Sequence, residues 1–323
     1  MKTKLPAIAL TVALIASFAA AQAPRSRPAR SRTATASQPT SDDTFAGTRN
    51  ETYKKVGDVE LKVHIFNPPG HKPTDRRPAI VFFFGGGWTH GSAGQFVPQC
   101  RYLALRGMVA ITADYRVYER HQAKVADCVA DAQAAVRWVR ANAKRLGIDP
   151  DRIAAGGGSA GGHLAAATAM LKDFTGDKDT AISFRPNALV LFNPALDLTP
   201  IVENEKREAR WRERLGADVK DLSPALHVKP GAPPTIIFHG KADNLIPYSR
   251  METFAKAMKA AGSRCELVGF EGQGHGFFNY RPRSTQYFTE TLRSADQFLV
   301  SLGYLSGMPT TGAYDWAPTT RPE

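Results

Sequence analysis

The sequence predicts an α/β fold with a mostly parallel sheet and helices on both faces. Apolar strand-like runs alternate with amphipathic helix-like stretches from about residue 51 to residue 302. Such alternation requires crossover connections, and those join parallel strands. Several runs are apolar at every position, as strands covered on both faces must be. Glycine clusters follow several of them, at the edge where sheets of this class bind ligands.

The elements follow in order. Val59–Ile65 alternates apolar and polar residues and reads as a half-exposed strand. Ala79–Phe84 is apolar throughout and Met108–Thr112 nearly so, and both read as buried strands, with a helix over Gln95–Arg106 between them. Val125–Leu146 is a long amphipathic helix closed by Gly147. Strand Arg152–Gly156 precedes helix Gly161–Leu171. Strand Ala188–Phe192 precedes a charged, helix-like stretch over Ile201–Leu215. Strand Thr235–His239, helix Ser249–Ala261, strand Cys265–Phe270 and helix Thr285–Leu302 complete the series. No internal repeat is present.

Both ends differ in character from this body. Met1–Lys4 is positive, Leu5–Ala21 is apolar, and Ala19-Ala20-Ala21 and Ala21-Gln22-Ala23 are A-x-A cleavage sites. Residues 1–23 therefore read as a secretory signal peptide, with no stable membrane span after cleavage and a secreted or periplasmic product. Residues 24–50 read as a disordered linker rich in Pro, Arg, Ser and Thr. Residues 51–305 read as one folded α/β domain, with a small cap-like insertion at about 198–232. Residues 306–323 read as a loose tail.

The chain has 323 residues and a net charge of +12. Five of those charges lie in residues 1–50, and the rest are mixed with acids along the body. That diffuse balance argues against nucleic-acid binding and fits anionic or polysaccharide surroundings. There are three cysteines, so no disulfide framework is implied, and Cys100–Cys128 is the pair to test for a single bridge. No Cys or His cluster has metal-ligand spacing, so no metal site is expected.

The chemistry-bearing residues lie just after the strands. Gly85-Gly86-Gly87-Trp88 follows the strand at 79–84. Gly157-Gly158-Ser159-Ala160-Gly161 follows the strand at 152–156. Asp243 follows the strand at 235–239, and Gly274-His275-Gly276 follows the strand at 265–270. G-x-S-x-G between a strand and a helix is a nucleophile elbow, in which side chains two positions either side of the serine would clash. A serine hydroxyl needs a base and a group to orient that base. His275, in the loop after the last strand, is the candidate base. His163 and His239 read as structural, and His90 as a pocket residue. Asp243 is the candidate acid and Asp197 the alternative. Asp114, Asp127 and Asp131 read as structural. The N–H groups of Gly86, Gly87 and Ala160 are placed to donate to an ester oxygen as it develops negative charge.

Phe-Gly-Gly-Gly-Trp, Asp-Tyr-Arg, Ala-Val-Arg-Trp-Val and Gly-Gly-Ser-Ala-Gly-Gly, in this order, resemble α/β-hydrolase carboxylesterases of the hormone-sensitive-lipase-like and acetyl-esterase group. The resemblance covers residues 55–302. It implies an eight-stranded, mostly parallel sheet, a triad of Ser159, Asp243 and His275, and oxyanion donors at Gly86, Gly87 and Ala160. Two positions depart from it. Phe84 stands where the family usually has His, which puts the anchoring of the glycine loop in question. Arg116-Val117-Tyr118-Glu119 replaces the usual continuation after Asp-Tyr-Arg. The short N-terminal region leaves little sequence for a helical cap. Together these features imply a secreted serine esterase acting on short-chain acyl esters, such as acetylated or feruloylated polysaccharide, with no cofactor. The alternatives are a prolyl-oligopeptidase-like peptidase, for which a propeller domain is missing, and a non-catalytic hydrolase-fold binding protein.

Overall fold

The computed structural model describes residues 45, 47–176, 181–203 and 205–311. The expected signal peptide, most of the expected linker and the last twelve residues lie outside them. Eight strands form one sheet: β1 Arg49–Val56, β2 Val59–Phe66, β3 Arg77–Phe83, β4 Val109–Ala113, β5 Ile148–Gly158, β6 Ala188–Phe192, β7 Thr235–Gly240 and β8 Cys265–Phe270. Their order is β1-β2-β4-β3-β5-β6-β7-β8. The β1–β2 and β2–β4 pairs are antiparallel, and every later pair is parallel.

Helices cover both faces: α1 Val97–Leu105, α2 Tyr118–His121, α3 Val125–Ala141, α4 Ala160–Met170, α5 Thr199–Val202, α6 Glu205–Leu215, α7 Tyr248–Ala260 and α8 Gln286–Ser301. Alternate residues of β3 show why its run is apolar throughout. Ala79, Val81 and Phe83 pack with α3, α4 and α7 on one face. Ile80 and Phe82 pack with α1 and α8 on the other. Each buried Val, Ile or Phe among them contributes about 1.5–3 kcal/mol by leaving water.

Several boundaries differ from the sequence reading. Strand β1 is unpredicted because RNETYKKV has one buried position, Tyr53, whose hydroxyl donates to Asp114 O. Its presence moves the start of the folded body back to Arg49. Phe45 also packs edge-on against the His64 ring, so the expected linker ends before residue 50. Helix α3 stops at Ala141, and Gly147 closes the turns after it at φ 61°. At the other end, residues 306–311 are docked: Arg106 donates to Ser306 O, and the Thr310 N–H donates to the Tyr102 hydroxyl. Residues 306–311 therefore belong to the folded body rather than to the expected tail.

The Cys100–Cys128 bridge does not form, and all three cysteines are free and buried. Cys100, on α1, sits in the core on one face of the sheet, and Cys128, on α3, in the core on the other. The sheet lies between them. Cys128 Sγ instead donates within its own neighbourhood, to Arg116 O and Lys124 O.

Candidate active site

Strand order builds the site. Strands β3 and β5 are neighbours, with Phe83 opposite Gly157, so the glycine loop after β3 lies beside the turn after β5. Strands β6, β7 and β8 then place Asn193, Asp243 and the His275 loop along the same edge.

Ser159 occupies the turn between β5 and α4 at φ 54° and ψ −119°, a conformation that costs a side-chain-bearing residue on the order of 1–3 kcal/mol. The surroundings hold it there. The Ser159 N–H donates to Phe192 O at 2.9 Å, and its C=O accepts from the N–H groups of His163 and Ala195. A Cβ on Gly161 would overlap Phe83 O, and one on Gly157 would overlap Gly161 O. Both glycines are therefore sterically required where the helix and two strands converge.

His275 Nε2 lies 2.9 Å from Ser159 Oγ, and its Nδ1 lies 2.7 Å from Asp243 Oδ2. The structure thus brings Ser159, His275 and Asp243 into one hydrogen-bonded chain. Asp243 is nearly covered. It also accepts from Asn193 Nδ2 on Oδ2 at 2.7 Å, and from the N–H groups of Leu245 and Ile246 on Oδ1. Burial alone would raise its pKa, but the His275 bond and these N–H donors outweigh that and hold it at about 2. The carboxylate is charged at neutral pH, so the imidazole proton must sit on Nδ1, leaving Nε2 free to accept from the serine.

Asp197, the alternative acid, is elsewhere: it accepts from Thr199 and pairs with Arg250 at 3.1 Å. His239 is buried, with Nε2 2.8 Å from Ile246 O and 3.3 Å from Asp243 Oδ2. It therefore braces the Asp243 turn as a structural residue. His163 is also buried. Its Nδ1 accepts from Trp88 Nε1 at 3.2 Å and its Nε2 donates to Leu222 O at 2.7 Å. His90 has an exposed side chain, and its C=O crowds Gly86. Asp114 accepts from the Lys62 N–H, Asp127 from the Lys124 N–H that precedes α3, and Asp131 from Lys54 and Arg116.

The oxyanion candidates lie around the serine. Ala160 is the first residue of α4, where N–H groups have no intrahelical partner and the helix dipole is positive. Gly86 and Gly87 have φ of 120° and 61°. Gly86 O accepts from the N–H groups of Thr89 and His90, which turns the opposite end of that peptide, the Gly87 N–H, the other way. Phe84 replaces the family's histidine without loosening this loop. It stacks on Tyr115 at 4.0 Å, its C=O accepts from the Tyr115 hydroxyl, and the next N–H, of Gly85, donates to Gln95 Oε1. Gln95 is in turn held by Asn279 at 2.8 Å. Neither Gln95 nor Asn193 stood out in the sequence. A lone polar residue just past a buried strand, as Asn193 is, was the available signal.

Between β6 and β7, α5 and α6 form an insertion over the sheet edge. With the Asn244–Pro247 turn and α7 it encloses a cavity of about 430 Å³ whose walls include Leu198, Ile201, Trp211 and Met251.

Residues 63–258 match the BD-FAE family, and the chain belongs to this hormone-sensitive-lipase-like family of α/β hydrolases. It is 30% identical over 220 residues to esterase LipC of Mycobacterium tuberculosis, covering 64% of this chain and 54% of that protein. It is 29% identical to carboxylesterase NlhH of the same organism, covering 69% and 73%. Apart from NlhH, the chain spans about half the length of the curated relatives it matches. Among solved structures, the apo form of Thermogutta terrifontis esterase 2 superposes with a TM-score of 0.78 at 54% identity, covering 81% of this chain and 97% of that one. That esterase has also been solved with propionate bound, and phosphorylated by paraoxon.

Proposed function

We propose that this chain is a secreted serine carboxylic-ester hydrolase that works through an acyl-enzyme. The observation that carries the reading is the pair of His275 contacts, 2.9 Å to Ser159 and 2.7 Å to Asp243. His275 Nε2 takes the Ser159 proton as Oγ attacks the ester carbonyl carbon. The carbonyl oxygen becomes an oxyanion and accepts from the N–H groups of Gly86, Gly87 and Ala160, each worth about 3 kcal/mol in such sites. The tetrahedral species collapses, and His275 gives its proton to the departing alcohol. Water then attacks the acyl-serine with His275 again taking a proton, and the acid leaves as the proton returns to Oγ. Asp243 keeps the imidazole in one tautomer and balances its positive charge.

The substrates are short-chain acyl esters, such as acetyl or feruloyl groups on polysaccharide. The propionate and butyrate bound to the Thermogutta esterase support a short acyl group. Export rests on the charged, apolar and A-x-A pattern of residues 1–23.

The test is hydrolysis of p-nitrophenyl acetate, butyrate and octanoate by the protein and by Ser159→Ala, together with release of acetate and ferulate from decorated xylan. Turnover should fall at least about 10³-fold in the variant and favour acetate and butyrate over octanoate. Equal turnover by Ser159→Ala overturns the mechanism, and a preference for octanoate overturns the substrate class. N-terminal sequencing of exported protein should begin near residue 22 or 24.

A further inference from the structure

We propose that Arg214, on α6 of the insertion, positions the oxyanion loop through Thr89. The guanidinium donates to Thr89 Oγ1 at 2.6 Å, and Thr89 Oγ1 lies 3.0 Å from Gly87 O. The direction of this relay is fixed by chemistry. Arginine has no acceptor and a carbonyl has no donor, so the Thr89 proton must point at Gly87 O. A hydroxyl that accepts from a cation is a stronger donor, so the charge on Arg214 tightens the Thr89–Gly87 bond.

Gly87 needs that external hold. It sits at φ 61° and has no side chain to limit the turning of its two peptide planes, so hydrogen bonds must fix them. The plane carrying the Gly87 N–H is fixed through Gly86 O by Thr89 N and His90 N. The plane on its other side is fixed by the Thr89 hydroxyl. Thr89 thus restrains both planes, with its N–H and its Oγ1. Its own C=O is pinned by the Glu119 N–H at 3.0 Å.

Arg214 is itself held in place. Its guanidinium carbon stacks 4.4 Å from the Tyr118 ring and 4.7 Å from the Trp211 ring, and the residue is almost wholly buried. Tyr118 belongs to the segment that follows the oxyanion loop in space, and Trp211 to the insertion. Trp211 also meets Trp88 edge-on at 6.3 Å. The insertion therefore does more than wall the neighbouring cavity: it sets the geometry of the donors for the developing charge. Arg214 and Thr89 are positioning residues, since they touch the loop and not the reacting atoms.

This inference rests on the esterase reading, and the experiment separates the two. Steady-state kinetics on p-nitrophenyl butyrate are measured for the protein and for Thr89→Val, Thr89→Ser, Arg214→Met and the double variant Thr89→Val/Arg214→Met. Ser159→Ala is the control, and thermal midpoints report folding. Thr89→Val keeps the side-chain shape but removes the donor. Its kcat should fall on the order of tenfold or more with KM within about twofold, because a misaimed donor costs part of what a deleted one does. Thr89→Ser should recover most of that loss. Arg214→Met should lower kcat in the same way, and the double variant should be no worse than the poorer single one. Unchanged kcat in Thr89→Val, a loss confined to KM, no recovery in Thr89→Ser, or additive losses each overturn the proposal. Should Arg214→Met fail to fold, the Thr89 pair still decides it. Activity that persists in Ser159→Ala overturns the esterase reading instead.

Discussion

Asn193 donates its side-chain amide to Asp243 Oδ2 at 2.7 Å, on the same oxygen that accepts from His275. The amide must face the carboxylate with its nitrogen, because its oxygen would repel it. Asn193 also sits at φ 42°, where asparagine is better tolerated than most residues, and it is fully buried. Position, backbone and hydrogen bond therefore converge on this residue type.

Replacing Asn193 should disturb the charge that orients His275. A general base contributes about 10²–10⁴-fold, and Asn193→Ala should lose on the order of tenfold in kcat/KM by loosening it. Asn193→Asp should lose more, because a second carboxylate would press on Asp243 and the two would compete for one proton. Pre-steady-state acylation rates on p-nitrophenyl acetate check this. An Asn193→Asp variant as active as Asn193→Ala would show that the contact does not tune Asp243.

The sequence made the strands from β2 onward legible because burial on both faces leaves β3, β4 and β6 almost wholly apolar. It made the sheet edge legible because Ser159, Asp243 and His275 each follow a strand of the sheet. Strand β1 escaped because one edge of a sheet needs only Tyr53 as an anchor. The supports escaped for a different reason. Gln95, Asn193 and Arg214 act through a few specific contacts to residues distant in sequence, and no periodicity marks a residue chosen for such partners. The Cys100–Cys128 pairing failed because sequence order does not say which face of the sheet a helix covers.

His163 should make the protein sensitive to mild acid. Burial lowers its pKa from 6.5 to about 4, and the bond to Leu222 O only partly opposes that. As pH falls below 6.5 the unfolded chain binds a proton that the folded chain refuses until about pH 4. Stability therefore falls across that window and levels off below it, by up to ~3 kcal/mol. His163→Gln loses packing at neutral pH but also loses this penalty. Urea midpoints at pH 7 and pH 4.5 should show the gap between the two proteins narrowing. A constant gap would mean that His163 takes its proton in the folded state as readily as in the unfolded one.

The three thiols should be silent in the folded protein. Burial pushes the pKa of Cys100 and Cys128 well above the ordinary thiol range, and that of Cys265 to about 12. Little thiolate exists at neutral pH, and reagent has no path to it. Ellman's reagent should titrate none of them natively and all three after denaturation without reductant. One thiol in the denatured sample would mean that a bridge forms.

Ser159→Gly should be inactive and yet more stable than Ser159→Ala. The serine backbone at φ 54° and ψ −119° lies where a Cβ is strained and glycine is not. Glycine removes that strain of about 1–3 kcal/mol. It also removes the hydroxyl and its bond to His275, a loss of about 1 kcal/mol. The greater chain freedom of glycine in the unfolded state takes back a further ~0.5–1 kcal/mol. Ser159→Ala separates these effects, since it loses the hydroxyl but keeps the strained Cβ. The thermal midpoint should therefore rank Ser159→Gly above Ser159→Ala, by a few degrees for a body of this size. Equal midpoints would mean that the turn relaxes when the hydroxyl is gone, and that the strain is held by the Ser159–His275 bond rather than by the convergence of Gly157, Gly161 and Phe83.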